Sequence, residues 1–177
     1  SDRAELVALL DSNSARMEVF NQENKTTLPC YAEQEFEKMV AETKPDCAII
    51  STTDATHHIY LIAALKHNLE VICEKPMTVD TQKTLAIIEA ARGIDATKAA
   101  ITFNYRYAPP RTKIKELVLN GNIGRPTSVE FNYLLDTYHG ASYFKRWNRY
   151  AKLSGSLLVT KACHHFDLVN WWLNQKP

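Results

Sequence analysis

Short apolar runs alternating with segments of helical period, from Leu6 to Tyr105, constrain this chain more than any other feature of its sequence. Leu6 to Leu10 is continuously apolar and is closed by Asp11, Ser12 and Asn13, the pattern of a strand buried on both faces that then meets a turn. Ser14 to Phe20 reads as a short helix, and Phe36, Met39 and Val40 mark an amphipathic helix over Ala32 to Thr43, stopped by Lys44-Pro45. Cys47 to Thr53 is apolar and β-branched, Thr56 to Asn68 returns to helical period through Ile59, Ile62 and Leu65, and Glu70 to Cys73 is another short strand. Asp80 caps a helix that turns Leu85 and Ile88 inward and closes at Arg92-Gly93, and Ala100 to Tyr105 makes the next strand. Strands too apolar to face water, separated by helices, predict α/β structure: a doubly wound parallel sheet covered by helices on both faces, the nucleotide-binding architecture.

The pattern changes after Tyr105. A helix with Ile114, Leu117 and Val118 follows Pro109-Pro110 and ends at Asn120-Gly121, and Thr127 to Asp136 then alternates, Val129, Phe131, Tyr133 and Leu135 on one side against Ser128, Glu130 and Asn132 on the other. The expected division is a Rossmann-type domain over 1–106 and an α+β open-sheet domain over 107–177, the latter too short in strands to bury its own sheet face.

Composition removes several classes of partner. With 21 Lys+Arg against 20 Asp+Glu in 177 residues, the net charge of +1 offers no footprint for nucleic acid or an anionic membrane. No apolar stretch approaches the roughly 20 residues of a membrane span. Cys30, Cys47, Cys73 and Cys163 lack metal-ligand spacing and read as reduced, buried thiols. The five glycines are isolated, with no G-x-G among them. A small-molecule reaction is the class that remains.

Several polar positions could carry it. Asp11, at a strand tip, suits the ribose hydroxyls of a dinucleotide and would repel a 2′-phosphate, favouring NAD over NADP; it could equally begin a turn. Thr53-Asp54-Ala55-Thr56-His57-His58 is a polar loop beyond a strand's carboxyl end, where backbone N–H groups can meet phosphate or ribose and where Asp54 or Thr56 could instead cap a helix. Glu74-Lys75-Pro76 places an ammonium at the carboxyl edge of the sheet, able to stabilise a developing alkoxide; a Glu-Lys pair in solvent is the plainer reading. On a helix beginning by Thr160, with a packing stripe of Ala162, Phe166, Val169 and Leu173, Thr160, His164 and Asp167 would share one face, an acid/base arrangement or a histidine bonded to Asp167 for stability. Adjacent His164 and His165 point about 100° apart on such a helix, which argues against a metal. The aromatic and basic stretch Tyr143 to Tyr150 suits either sugar stacking or an interface.

Taken together, Asp11 with Arg16, Thr53-Asp54-Ala55-Thr56-His57, Glu74-Lys75-Pro76, Asn104-Tyr105-Arg106, Gly121 to Pro126 and the helix holding His164 and Asp167 resemble the Gfo/Idh/MocA family of NAD(P)-dependent oxidoreductases. The resemblance implies Lys75 and His164 flanking the nicotinamide, with Thr160 standing where the family usually carries an Asp. It implies cofactor contacts from Asp11, Arg16, Thr52, Thr53, Asp54, His57, Glu74, Lys75, Asn104 and Arg106, and substrate contacts from Lys75, Arg146, Trp147, His164 and His165. The first strand and glycine-rich turn of the family would lie about 30 residues upstream of Asp11. Without that strand, the strands beside it would face each other unpaired, and 1–177 alone is expected to be unstable and to bind dinucleotide poorly. The expected activity is hydride transfer between NAD(P) and a hydroxyl carbon of a sugar, glycoside or cyclitol, in a cytoplasmic homo-oligomer assembled through the C-terminal sheet. Redox-neutral glycoside hydrolysis with bound NAD, or a nucleotide or sugar sensor, are the alternatives.

Overall fold

The computed structural model describes residues 4–175. Its strands are all parallel and all lie before Thr102: β1 (Leu9–Leu10), β2 (Cys30–Tyr31), β3 (Cys47–Ile50), β4 (Glu70–Cys73) and β5 (Ala99–Ile101). β1 pairs with β2, and β3-β4-β5 form a second ladder in that order. Between them α1 (Ser14–Asn24) runs beyond its expected end at Phe20, followed in turn by α2 (Phe36–Thr43), α3 (His57–Lys66) and α4 (Thr81–Ala90). Local chemistry starts two of these helices: the Asn13 and Asp80 side chains accept the backbone N–H groups of Ala15 and Lys83.

Ile50, Val71 and Cys73 turn toward α3, whose Leu61, Ala64 and Leu65 are buried against them with Phe36 and Val40 of α2 and Ile87 of α4. Burial of each large side chain here is worth ~1.5–3 kcal/mol. Strand alternation sends Ile49 and Ile72 to the opposite face, where they are 71% and 41% exposed, so the described helices cover one face of this ladder rather than two. An apolar groove of about 300 Å³, lined by Leu10, Phe36, Met39, Ile50 and Leu69 among others, separates β1 from β3.

Several side chains turn otherwise than their periodicity suggests. Leu85, Ile88 and Ile59 are exposed, while Ile87 and Leu61 take the buried positions one or two residues away. Leu6 and Val7 are exposed, and only Leu9–Leu10 of that run is paired. Cys30 is exposed, although all four thiols are free.

Beyond Thr102, a 3₁₀ turn over Asn104–Tyr107 replaces the expected end of a strand and leads into α5 (Pro109–Leu119), with prolines in its first turn. Thr127 to Asp136 has no ladder partner among the described residues, and of its four alternating side chains Val129 and Tyr133 are exposed. Single turns α6 (Thr137–Gly140), α7 (Ser142–Lys145), α8 (Ala151–Ser154) and α9 (Leu157–Thr160) precede α10 (Cys163–Leu173), which packs on α5. The buried stripe of α10 is His164 and Leu168; Phe166, expected inside, is 62% exposed.

Candidate functional site

One cleft and one buried hydrogen-bonded cluster gather most of the polar positions singled out above. A cleft of about 380 Å³ is lined by Asp11, Arg16, Thr52, Thr53, Thr56 and Trp147, among others. Asp11 Oδ1 accepts the Asn13 N–H at 2.8 Å and lies 3.6 Å from the Arg16 guanidinium, while Oδ2 has no donor among the described residues.

The second arrangement is built where β4 ends. Glu74 is exposed and accepts the N–H of Lys75, whose peptide bond to Pro76 is cis. Lys75 Nζ donates to the carbonyl of Thr160 at 2.8 Å, and the Thr160 hydroxyl donates to Asp54 Oδ2 at 2.7 Å. Asp54 and Thr160 are both buried, so the loop after β3, the end of β4 and the turn before α10 are joined through one residue. Burial raises the Asp54 carboxyl above the ordinary carboxylate range, against the lowering effect of the Thr160 hydrogen bond and of His57 and Lys75.

Thr160 ends α9 and His164 lies in the first turn of α10, which begins at Cys163 rather than by Thr160 as expected; His164 is 3% exposed. Tyr105 stacks flat on its ring at 3.9 Å, and its Nδ1 is buried without a hydrogen-bond partner. Burial, then the charges of Lys75, Lys161 and His165, lower its pKa to about 4. The imidazole is therefore neutral at pH 7. Asp167 does not complete an acid/base face with it, because both carboxylate oxygens are taken by Arg106, one by Nε at 2.7 Å and the other by the terminal nitrogen. Thr160 likewise faces Asp54 rather than the imidazole.

Other expected contacts sit differently. His57 is fully buried between the two loops, with Nδ1 2.8 Å from the Pro76 carbonyl and Nε2 3.1 Å from that of Thr52, and its ring N–H donates to one of these two carbonyls. Arg106 is spent on Asp167, and the Asp54 carboxylate on Thr160. Asn104 is exposed in its 3₁₀ turn. Arg146 lines a separate, shallow recess with Tyr138, His139 and Lys145, whereas its neighbour Trp147 turns to the Asp11 cleft. His165 packs against Phe131 and Tyr133, with ring centroids 4.8 and 4.7 Å away. Burial, then Lys161 and Arg111, lower its pKa.

No site role was expected for Lys161, Tyr133 or Arg111, which surround the Tyr105 ring stacked on His164. Lys161, 7% exposed, donates to Tyr105 Oη at 2.6 Å; Tyr105 Oη lies 3.3 Å from that of Tyr133; and the Arg111 guanidinium covers the Tyr105 ring at 4.0 Å. The nearest signal was a lysine placed three residues before a histidine, indistinguishable in sequence from a solvated one.

Residues 1–100 match the Gfo/Idh/MocA oxidoreductase family, NAD-binding Rossmann fold, and residues 115–177 match that family's C-terminal alpha/beta domain. This chain belongs to the Gfo/Idh/MocA family. It is 45% identical to YteT of Bacillus subtilis over the whole chain, which corresponds to 42% of that protein. It is 24% identical to inositol 2-dehydrogenase 4 of Saccharopolyspora erythraea over 83% of this chain and 40% of that one. The structure of myo-inositol 2-dehydrogenase from Lactobacillus plantarum shares the fold of this Gfo/Idh/MocA chain, with a TM-score of 0.79 over 98% of it and 50% of the other, at 24% identity. The chain thus spans less than half the length of these curated relatives.

Proposed function

We propose that this Gfo/Idh/MocA chain carries the cofactor cleft and the acid/base groups of a dehydrogenase that moves a hydride between NAD and a hydroxyl carbon of a sugar, glycoside or cyclitol. The observation that carries the reading is the meeting of Lys75 with the turn that delivers His164. The inositol dehydrogenase relatives support cyclitols among the candidate substrates.

The donor set fits a dinucleotide. Asp11 keeps one carboxylate oxygen for ribose hydroxyls, its charge disfavours a 2′-phosphate, and Thr52 and Thr53 line the same cleft. Bound NAD supplies the hydride acceptor. Lys75 retains two ammonium protons beyond the one given to Thr160, and these can hold the substrate oxygen as it gains alkoxide character. His164, neutral, takes the hydroxyl proton as the hydride leaves the same carbon; burial, then the charges of Lys75 and Lys161, make the resulting imidazolium acidic, so it gives that proton up to water.

The test is reduction of NAD, followed by nicotinamide absorbance, with the full-length protein and a panel of inositols, aldoses and glycosides. The expected result is turnover with at least one polyol that falls by about 10²- to 10⁴-fold in His164→Ala. A protein that binds NAD yet reduces it with no member of the panel, or a His164→Ala variant with full activity, overturns the reading.

A further inference from the structure

The side chains packed around His164 carry more positive charge than they balance. Lys161 is almost wholly buried, and its ammonium makes one hydrogen bond, to a neutral phenol, between the rings of Tyr105 and Tyr133 at 5.0 and 5.2 Å. The Arg111 guanidinium lies over the Tyr105 ring at 4.0 Å and reaches the Tyr105 carbonyl at 3.5 Å. Lys75 reaches a carbonyl and Asp54 acts on it from beyond hydrogen-bond range. None of these three cations is within ion-pair distance of a carboxylate among the described residues. Arg106 and Asp167 cancel each other, and Glu74, exposed, faces its neighbour's backbone N–H. Setting the single charge of Asp54 against Lys75, Lys161 and Arg111 leaves two positive charges over.

A buried ammonium with only a neutral acceptor is an incomplete arrangement, because desolvation is offset chiefly by an opposite charge. From this cluster we infer that it binds a sugar or cyclitol bearing an anionic group, carboxylate or phosphate, with Lys161 as its counter-ion and the phenols of Tyr105 and Tyr133 as accessory donors. The inference deepens the dehydrogenase reading above and rests on it for the position of the ring relative to His164; the charge argument itself needs only the side chains named. Lys161 would then be a specificity residue, since an ammonium left buried beside a neutral ring gains less than one that meets an anion.

Titration calorimetry on the full-length protein, with NAD bound, tests this. Glucuronate and galacturonate, glucose 6-phosphate, and the neutral glucose and galactose are compared as probes. At least one anionic probe is expected to bind about tenfold or more tightly than its neutral counterpart, with the advantage shrinking at high salt and lost in Lys161→Met. Tighter binding by the uronates alone or by the phosphate alone identifies the anion. Equal or weaker binding of every anionic probe overturns the inference even if Lys161→Met does not fold, because that comparison uses the unaltered protein. An anion preference that survives unchanged in both folded Lys161→Met and Arg111→Gln overturns it as well. Absence of NAD binding and of nicotinamide reduction would instead sink the dehydrogenase reading, leaving the sugar comparison to be made without cofactor.

Discussion

Thr160 donates its hydroxyl to the buried Asp54 carboxylate at 2.7 Å and offers its carbonyl to Lys75 at 2.8 Å. The position whose side chain sequence order would aim at His164 therefore holds a different pair of loops together. Thr160→Val keeps the shape and the carbonyl but removes the donor, leaving a buried carboxylate without its partner. The expected loss is about 1–3 kcal/mol of stability, read from urea denaturation, with Thr160→Ser close to wild type. A valine variant as stable as the parent would show that the bond contributes nothing.

Arg106 and Asp167 form a two-pronged ion pair in which the carboxylate side chain is 10% exposed and the guanidinium 37%. Arg106→Ala strands the carboxylate, and partial exposure of the arginine reduces the penalty below that of a fully buried pair, to about 2–3 kcal/mol. Removing both charges in Arg106→Ala/Asp167→Ala should recover part of that loss. A double-mutant cycle with no coupling would refute this structural role.

Stability should also depend on pH through His164. Its pKa in the folded state, about 4, is below the ordinary 6.5, so the unfolded chain binds the extra proton more readily. Above pH 6.5 the group costs nothing; as pH falls from there toward 4, up to about 3 kcal/mol of stability is lost. In His164→Gln this acid-side slope should flatten, a comparison made by thermal melts across the pH range.

The parallel α/β class and the strand at Glu70–Cys73 were legible because apolar runs of strand length survive whichever face is covered. Helix faces were less legible: α3 and α4 are apolar on more than one side, so Ile59, Leu85 and Ile88 looked as suitable for burial as Leu61 and Ile87. β2 escaped because two paired residues, Cys30 and Tyr31, carry no period. At the site, Lys75 and His164 could be picked out by type and spacing, whereas the partners of Thr160, Asp167 and His57 depend on which loops the fold brings together. Lys161 and Tyr105, far apart in sequence, gave no hint of their contact.

Gly155 provides the last test of how the Lys75 and His164 segments are held together. It has φ +75°, and a Cβ there would lie 2.8 Å from the Val79 carbonyl oxygen and 2.9 Å from the Val159 side chain. Both neighbours matter: Val79 follows the Lys75-Pro76 segment, and Val159 precedes Thr160. Gly155→Ala must therefore push α9 off the segment that carries Lys75, in addition to straining its own backbone. Gly93 has nearly the same φ, +76°, with nothing within 4 Å of its Cβ position, so Gly93→Ala isolates the backbone cost of about 1 kcal/mol. Gly155→Ala is expected to lose more, about 2–4 kcal/mol by combining strain with overpacking. It should also weaken NAD reduction while Gly93→Ala leaves it intact. Equal melting temperatures and equal turnover for the two variants would show that close approach at Gly155 does not hold the Lys75 and His164 segments together.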